Sequence, residues 1–125
     1  MRTLALLALS FVAVASPGAT DPKLLLIEQR LGGFEDKDYA PAVERTLAEF
    51  EARTGVGLRP AELRRCGLKV STDGGAGLST PKPLVRALSA ALIRRGFAPG
   101  AITLCDAKQE SLRQAGFLQI GRAHV

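Results

Sequence analysis

Between Cys66 and Cys105 a short β-prone run, a glycine cluster, an amphipathic run and a second β-prone run follow one another. That order limits the fold more than any other feature of the chain. Leu68-Lys69-Val70-Ser71 reads as a strand, with Cys66 opening it, and Asp73-Gly74-Gly75-Ala76-Gly77 follows almost at once as a loop. Ser79-Thr80-Pro81 then starts a helix with a hydroxyl cap and a proline in the first turn. Leu84, Val85, Leu88, Ala91 and Leu92 fall on one face. Gly96 stands where a left-handed stop is wanted, and Pro99-Gly100 extends the break. Ala101 to Cys105 is the second strand, ending at Asp106, and a further helix over Lys108 to Ala115 is closed by Gly116. Strand, helix and strand in this order make a β-α-β unit, whose crossover nearly always lands on a parallel neighbour. The expected fold class is α/β: a β-α-β unit with parallel strands and flanking helices, in an incomplete sheet.

Open parallel sheets gather ligands at the carboxyl ends of their strands. The glycine loop and Asp106 both fall on that edge. Gly74, Gly75 and Gly77 could present backbone N–H groups to a phosphate or carboxylate, helped by the positive end of the helix starting near Pro81. The plainer reading is a tight turn, since neither G-x-x-x-x-G-K-[ST] nor G-x-G-x-x-G is present. Asp73 would repel an anion unless a metal or Lys69 compensates it. Lys69 offers an ammonium within a strand, or a solvated edge lysine. Asp106 offers a metal ligand, an acid/base group, or a cap for the next helix. Ser79 and Thr80 are read as caps.

Upstream, Pro22 to Leu31 reads as a first helix carrying Leu24, Leu25, Ile27 and Leu31, ended by Gly32-Gly33. A second helix follows Asp38, with Val43, Leu47 and Phe50 at helical spacing and Thr54-Gly55 as its stop. Pro60 to Arg65 suggests a short turn of helix. At the very start, Arg2, the apolar run Leu4 to Val12 and Ala13-Val14-Ala15 read as an export signal with its cleavage site. The apolar run is too short for a membrane span. Docking of that run on a core, as a helix of an intracellular protein, is the alternative.

The chain has 125 residues, enough for one small domain, and 46% of them are hydrophobic, which favours a globular core over disorder. Its 17 Lys and Arg against 12 Asp and Glu give a net charge of +5. The basic residues are scattered, as in Arg59, Arg64 and Arg65, then Arg94 and Arg95, with no interleaved aromatics, so no nucleic-acid partner is expected. An exported chain meets oxidising conditions, yet Cys66 and Cys105 stand at opposite ends of neighbouring strands, about 13 Å apart. That exceeds disulfide reach, so buried structural thiols are expected. Two cysteines without C-x-x-C cannot alone hold a zinc ion or an iron–sulfur cluster.

The run Leu68-Lys69-Val70, Gly74 to Thr80, Leu84 to Leu88, Ile102, Asp106, Leu112 and Ala115-Gly116-Phe117 resembles the uncharacterised family called domain of unknown function 362. The resemblance spans about residues 66 to 117. It implies an exported bacterial protein, and some family members carry ferredoxin-like iron–sulfur segments elsewhere in their chains. Ser71 stands where the family commonly has asparagine, and Ala107 where it has arginine; Lys69, the glycine loop and Asp106 match.

The last six residues, Ile120-Gly121-Arg122-Ala123-His124-Val125, look like the translation of a sequencing adapter, so the natural sequence is expected to end near Gln119 in this chain. The expected organisation is a signal peptide over 1–15, a helical region over 16–65, the start of a truncated α/β domain over 66–119, and adapter-derived residues over 120–125. Lys69, Gly74, Gly75, Gly77 and Asp106 are the candidate binding residues for a small anionic ligand, with or without a metal, in the periplasm or outside the cell. The cofactor and the reaction are left open. A noncatalytic binding module is one alternative. An iron–sulfur redox protein is another, if a cysteine-rich segment lies beyond the break.

Overall fold

The computed structural model describes residues 6–8, 25–62, 64–75 and 77–117. The cleavage site Ala13-Val14-Ala15 and the adapter-like residues 120–125 lie outside them, as do most residues of the expected signal. The fold is a small α/β arrangement with a short parallel sheet left open. Its elements are β1 (Leu6–Ala8), β2 (Glu28–Arg30), α1 (Asp36–Thr54), β3 (Cys66–Lys69), α2 (Lys82–Arg94), β4 (Ile102–Cys105) and α3 (Gln109–Gln114), with a single 3-10 turn at Pro99–Ala101 before β4.

The central unit forms as expected. β3 pairs with β4 in parallel, Cys66 opposite Ile102 and Lys69 opposite Cys105, with α2 as the crossover between them. Side chains alternate along both strands: Leu68, Ile102 and Leu104 turn inward, whereas Gly67, Lys69, Thr103 and Cys105 are exposed. Leu104 packs with Val70, Val85 and Leu112, and Ile102 with Leu92 and Phe97. Among the described residues, one face of the sheet is therefore core and the other is exposed. α2 stops where Gly96 takes φ 104° and the Phe97 amide donates back to the Leu92 carbonyl at 3.2 Å.

α1 and α2 form the other half of the core. Tyr39, Val43 and Leu47 recur at i, i+4 and i+8 and meet Leu84, Ala87 and Ala91 of α2. Asp38 does not precede α1 but sits in its first turn, and its carboxylate accepts the Glu35 amide at 3.0 Å. Gly33 makes room for it, because a Cβ there would fall 2.6 Å from Asp38 Oδ2. Gly55, at φ 70°, ends the helix as read from sequence.

Two upstream expectations are corrected. Residues 25–31 are not helical: Glu28–Arg30 pairs antiparallel with Leu6–Ala8, and Ile27 alone of the described apolar residues there is buried. Ten residues closed by paired glycines are too few to propagate a helix without a face to bury, and Leu26 remains 59% exposed. Of the segment Pro60 to Arg65, no described residue is helical: the Arg64 amide donates to the Ala61 carbonyl at 3.0 Å, closing one turn, and Arg64 adopts a left-handed φ of 48°.

Candidate functional site

Because β3 and β4 run in the same direction, the residues following Lys69 and Cys105 emerge at one rim. The Val70 amide extends the ladder by donating to the Cys105 carbonyl at 2.9 Å. This leaves Lys69 beside Asp106, and its ammonium donates to Asp106 Oδ1 at 2.7 Å and to the Val70 carbonyl at 2.5 Å. Asp106 also receives the Thr72 amide on Oδ2 at 2.8 Å, the Thr72 hydroxyl on the same oxygen, and its own neighbour's amide, Ala107, on Oδ1 at 2.7 Å.

Two carboxylate oxygens thus accept from Lys69, Thr72 twice and Ala107, which fills the lone-pair positions a carboxylate has. The hydrogen bond from Lys69, then those from the Thr72 hydroxyl and the Ala107 amide, hold the Asp106 carboxyl far below its ordinary range. Such a group is ionised at any ordinary pH and has no proton to give. It is not a helix cap either, since α3 begins only at Gln109 with Lys108 before it. Its work is to tie the end of β4 to the chain leaving β3.

The glycine loop is closed at its base by Ser71 and Thr80. The Thr80 amide donates to the Ser71 carbonyl at 2.8 Å, and the Ser71 amide to Thr80 Oγ1 at 2.9 Å. Within the loop, the Gly75 carbonyl accepts the Leu78 amide, the Ser79 amide and the Ser79 hydroxyl, the last at 2.6 Å. Ser79 and Thr80 therefore pin the loop and do not cap the helix as expected. Pro81 is the cap residue of α2, and no side chain caps it. Gly75 needs its φ of 76°, and a Cβ on Gly74 would fall 2.5 Å from that of Leu78. The amides of Gly74 and Gly77 donate to no described residue. Pro81 and Pro83 remove two donors from the start of α2.

Lys69 is not what offsets Asp73. Asp73 accepts the Ser111 hydroxyl at 2.6 Å and lies 4.0 Å from the Lys108 ammonium, so its compensation comes from α3 and the residue before it.

All five candidate residues, Lys69, Gly74, Gly75, Gly77 and Asp106, belong to this one rim. Sequence reasoning missed Thr72, which is 4% exposed and grips Asp106 through both backbone and side chain. It also missed Ser111 and Lys108. A signal for Thr72 existed: it is the first polar residue after Val70 whose alternation returns it to the buried side.

The register sets Cys66 three positions from Cys105 along the strands, about 10 Å, and both thiols are free. Buried thiols were expected; instead Cys66 is half-buried and Cys105 exposed, because Cys105 alternates onto the bare face. Burial, with a smaller effect of Cys105, pushes the Cys66 thiol up. Among the described residues, no three His, Cys, Asp or Glu side chains gather in a way that could hold a metal ion, and no helix is long and apolar enough to cross a membrane.

Fold and rim together define a small α/β protein with a hydrogen-bonded strand-end network. No family model, curated protein or solved structure matches the chain.

Proposed function

We propose that this chain is an exported α/β protein, of the kind grouped as domain of unknown function 362, that holds a small anionic ligand at the rim after β3 and β4. Lys69 supplies the positive charge, the amides of Gly74, Gly75 and Gly77 supply the cradle, and Asp106 positions Lys69 and Thr72 without touching the ligand. The observation that carries this reading is an asymmetry: the Lys69 side chain is 65% exposed, while that of its partner Asp106 is 4% exposed. The carboxylate is enclosed by its donors and the ammonium faces outward, with a third N–H direction left for a ligand.

A noncatalytic turn is the competing reading, and the Gly75 carbonyl favours it by accepting from Leu78 and Ser79 within the loop. Titration of the full chain with inorganic phosphate, followed on the amide resonances of Gly74, Gly75 and Gly77, separates the two. Binding predicts saturable shifts, weakened about tenfold in Lys69→Ala through loss of a charge-assisted hydrogen bond. Glycine amides that do not move, or an affinity untouched by Lys69→Ala, leave only the turn.

A further inference from the structure

We propose that the loop between α1 and β3 forms a second, independent anion site that takes a small phosphate-bearing molecule. Three of the basic residues that look scattered along the sequence, Arg59, Arg64 and Arg95, converge there. Arg59, Pro60, Ala61, Glu62, Arg64 and Arg95 line an open groove of about 730 Å³. It lies beside the carboxyl end of α2 and just before Cys66, which is the sheet edge opposite the glycine loop.

Three features make the groove a built surface. Arg95 is its fixed wall: the side chain is 13% exposed and donates to Glu44 Oε2 at 2.9 Å and to Glu51 Oε2 at 3.2 Å. Glu51 also anchors the loop, accepting the Leu58 amide at 2.8 Å. Pro60 seats the loop on the end of α2, its Cδ 3.6 Å from where a Cβ of Gly96 would stand. The groove is therefore held from two sides before any ligand arrives.

Charge then selects the ligand. Glu44 and Glu51 neutralise Arg95, whereas Arg59 and Arg64 form no ion pair with a described residue. Arg59 feels the Glu51 carboxylate at longer range. Against these two guanidinium groups the described lining holds one carboxylate, Glu62. The carboxyl end of α2 works against an anion, and Arg95 reduces that effect by donating to the Ala91 carbonyl at 3.2 Å. Arg64 is kept at a left-handed φ of 48°, a conformation a long side chain adopts at a cost, with its amide held by the Ala61 carbonyl at 3.0 Å. Two guanidinium forks match the oxygens of a phosphate dianion. The groove is large enough for a small molecule, and its described lining holds no aromatic on which bases could stack.

Calorimetric titration of the full chain with pyrophosphate at fixed ionic strength, paired with amide and arginine Nε spectra, tests this. Saturable binding with shifts at residues 58–65 is expected, and Arg59→Gln and Arg64→Gln should each weaken it about tenfold. Arg64→Gly removes the same charge while suiting the left-handed backbone, so lost binding in that variant cannot be ascribed to misfolding. Lys69→Ala should leave this site unchanged, which separates it from the rim. Shifts confined to Gly74, Gly75 and Gly77, affinity unaltered by the arginine substitutions, or uptake that never saturates would each overturn the proposal.

Discussion

The helix pair and the strand pair are held together in different ways. Between α1 and α2, Val43 and Leu47 are enclosed on all sides, and Glu44, Glu51, Arg94 and Arg95 tie the helices across their outer edge. Among the described residues the strands have a core cluster on one face only; Gly67, Lys69, Thr103 and Cys105 are exposed on the other. Stability is thus concentrated in the helices, and the candidate site hangs on the thinner layer, where polar hydrogen bonds do what packing does elsewhere. Leu47→Ala should cost about 4 kcal/mol, as a cavity that fully surrounded neighbours cannot fill. Leu104→Ala, beside a bare sheet free to collapse, should cost about 2 kcal/mol. Equal losses in chemical denaturation would break the contrast.

Acid sharpens the same comparison. Burial works to raise the Glu44 carboxyl, and hydrogen bonds from Arg94 and Arg95 outweigh it, so the group titrates below its ordinary range. The Leu58 amide, then Arg95, lower Glu51. A carboxyl lowered by folding contributes stability that is present above its unfolded pKa, about 4.3 for Glu, and is lost as pH falls through its folded value. Asp106 follows the same sign and is displaced furthest. Arg95→Met should therefore cost about 1–2 kcal/mol at pH 7, allowing for solvent screening at Glu44, and progressively less below pH 4 as both glutamates protonate. The rim should keep its Lys69–Asp106 contact at acidities where the helix network has already loosened. Urea unfolding of both proteins from pH 7 to pH 2.5 measures this; a constant difference across that range would show that Arg95 acts through packing alone.

The β-α-β unit was legible because several local signals agree: the β-prone runs, the apolar stripe of α2, and the glycine at φ 104° that ends it. The rim was legible only as a place. Its chemistry was not, because hydrogen-bond partners are chosen by tertiary geometry. Thr80 suits a helix cap by type, yet closing the loop onto Ser71 takes both its amide and its hydroxyl. Asp106 suits a cap by position, yet four donors converge on it before α3 begins. The first expected helix failed for a related reason. Leu24, Leu25, Ile27 and Leu31 look like a stripe, but residues 28–30 are drawn into pairing with residues 6–8, and Gln29 accepts the Arg45 Nε at 3.2 Å.

The smallest expected effect tests the bare face most directly. Cys105 stands opposite Lys69 on that face, exposed, while Cys66 is half-buried on the other with its thiol pushed up by burial. A thiol reagent at neutral pH should modify Cys105 rapidly and Cys66 slowly, since attack requires both access and thiolate. Cys105→Ser should change unfolding stability by less than about 0.5 kcal/mol, because Cys105 is exposed and belongs to no core cluster of the described residues. If Cys105 instead reacts as slowly as Cys66, or its replacement costs as much as Leu104→Ala, then that face is covered in solution. The strand pair would then be two-sided core like the helices, and Lys69 would not be open to a ligand from that direction.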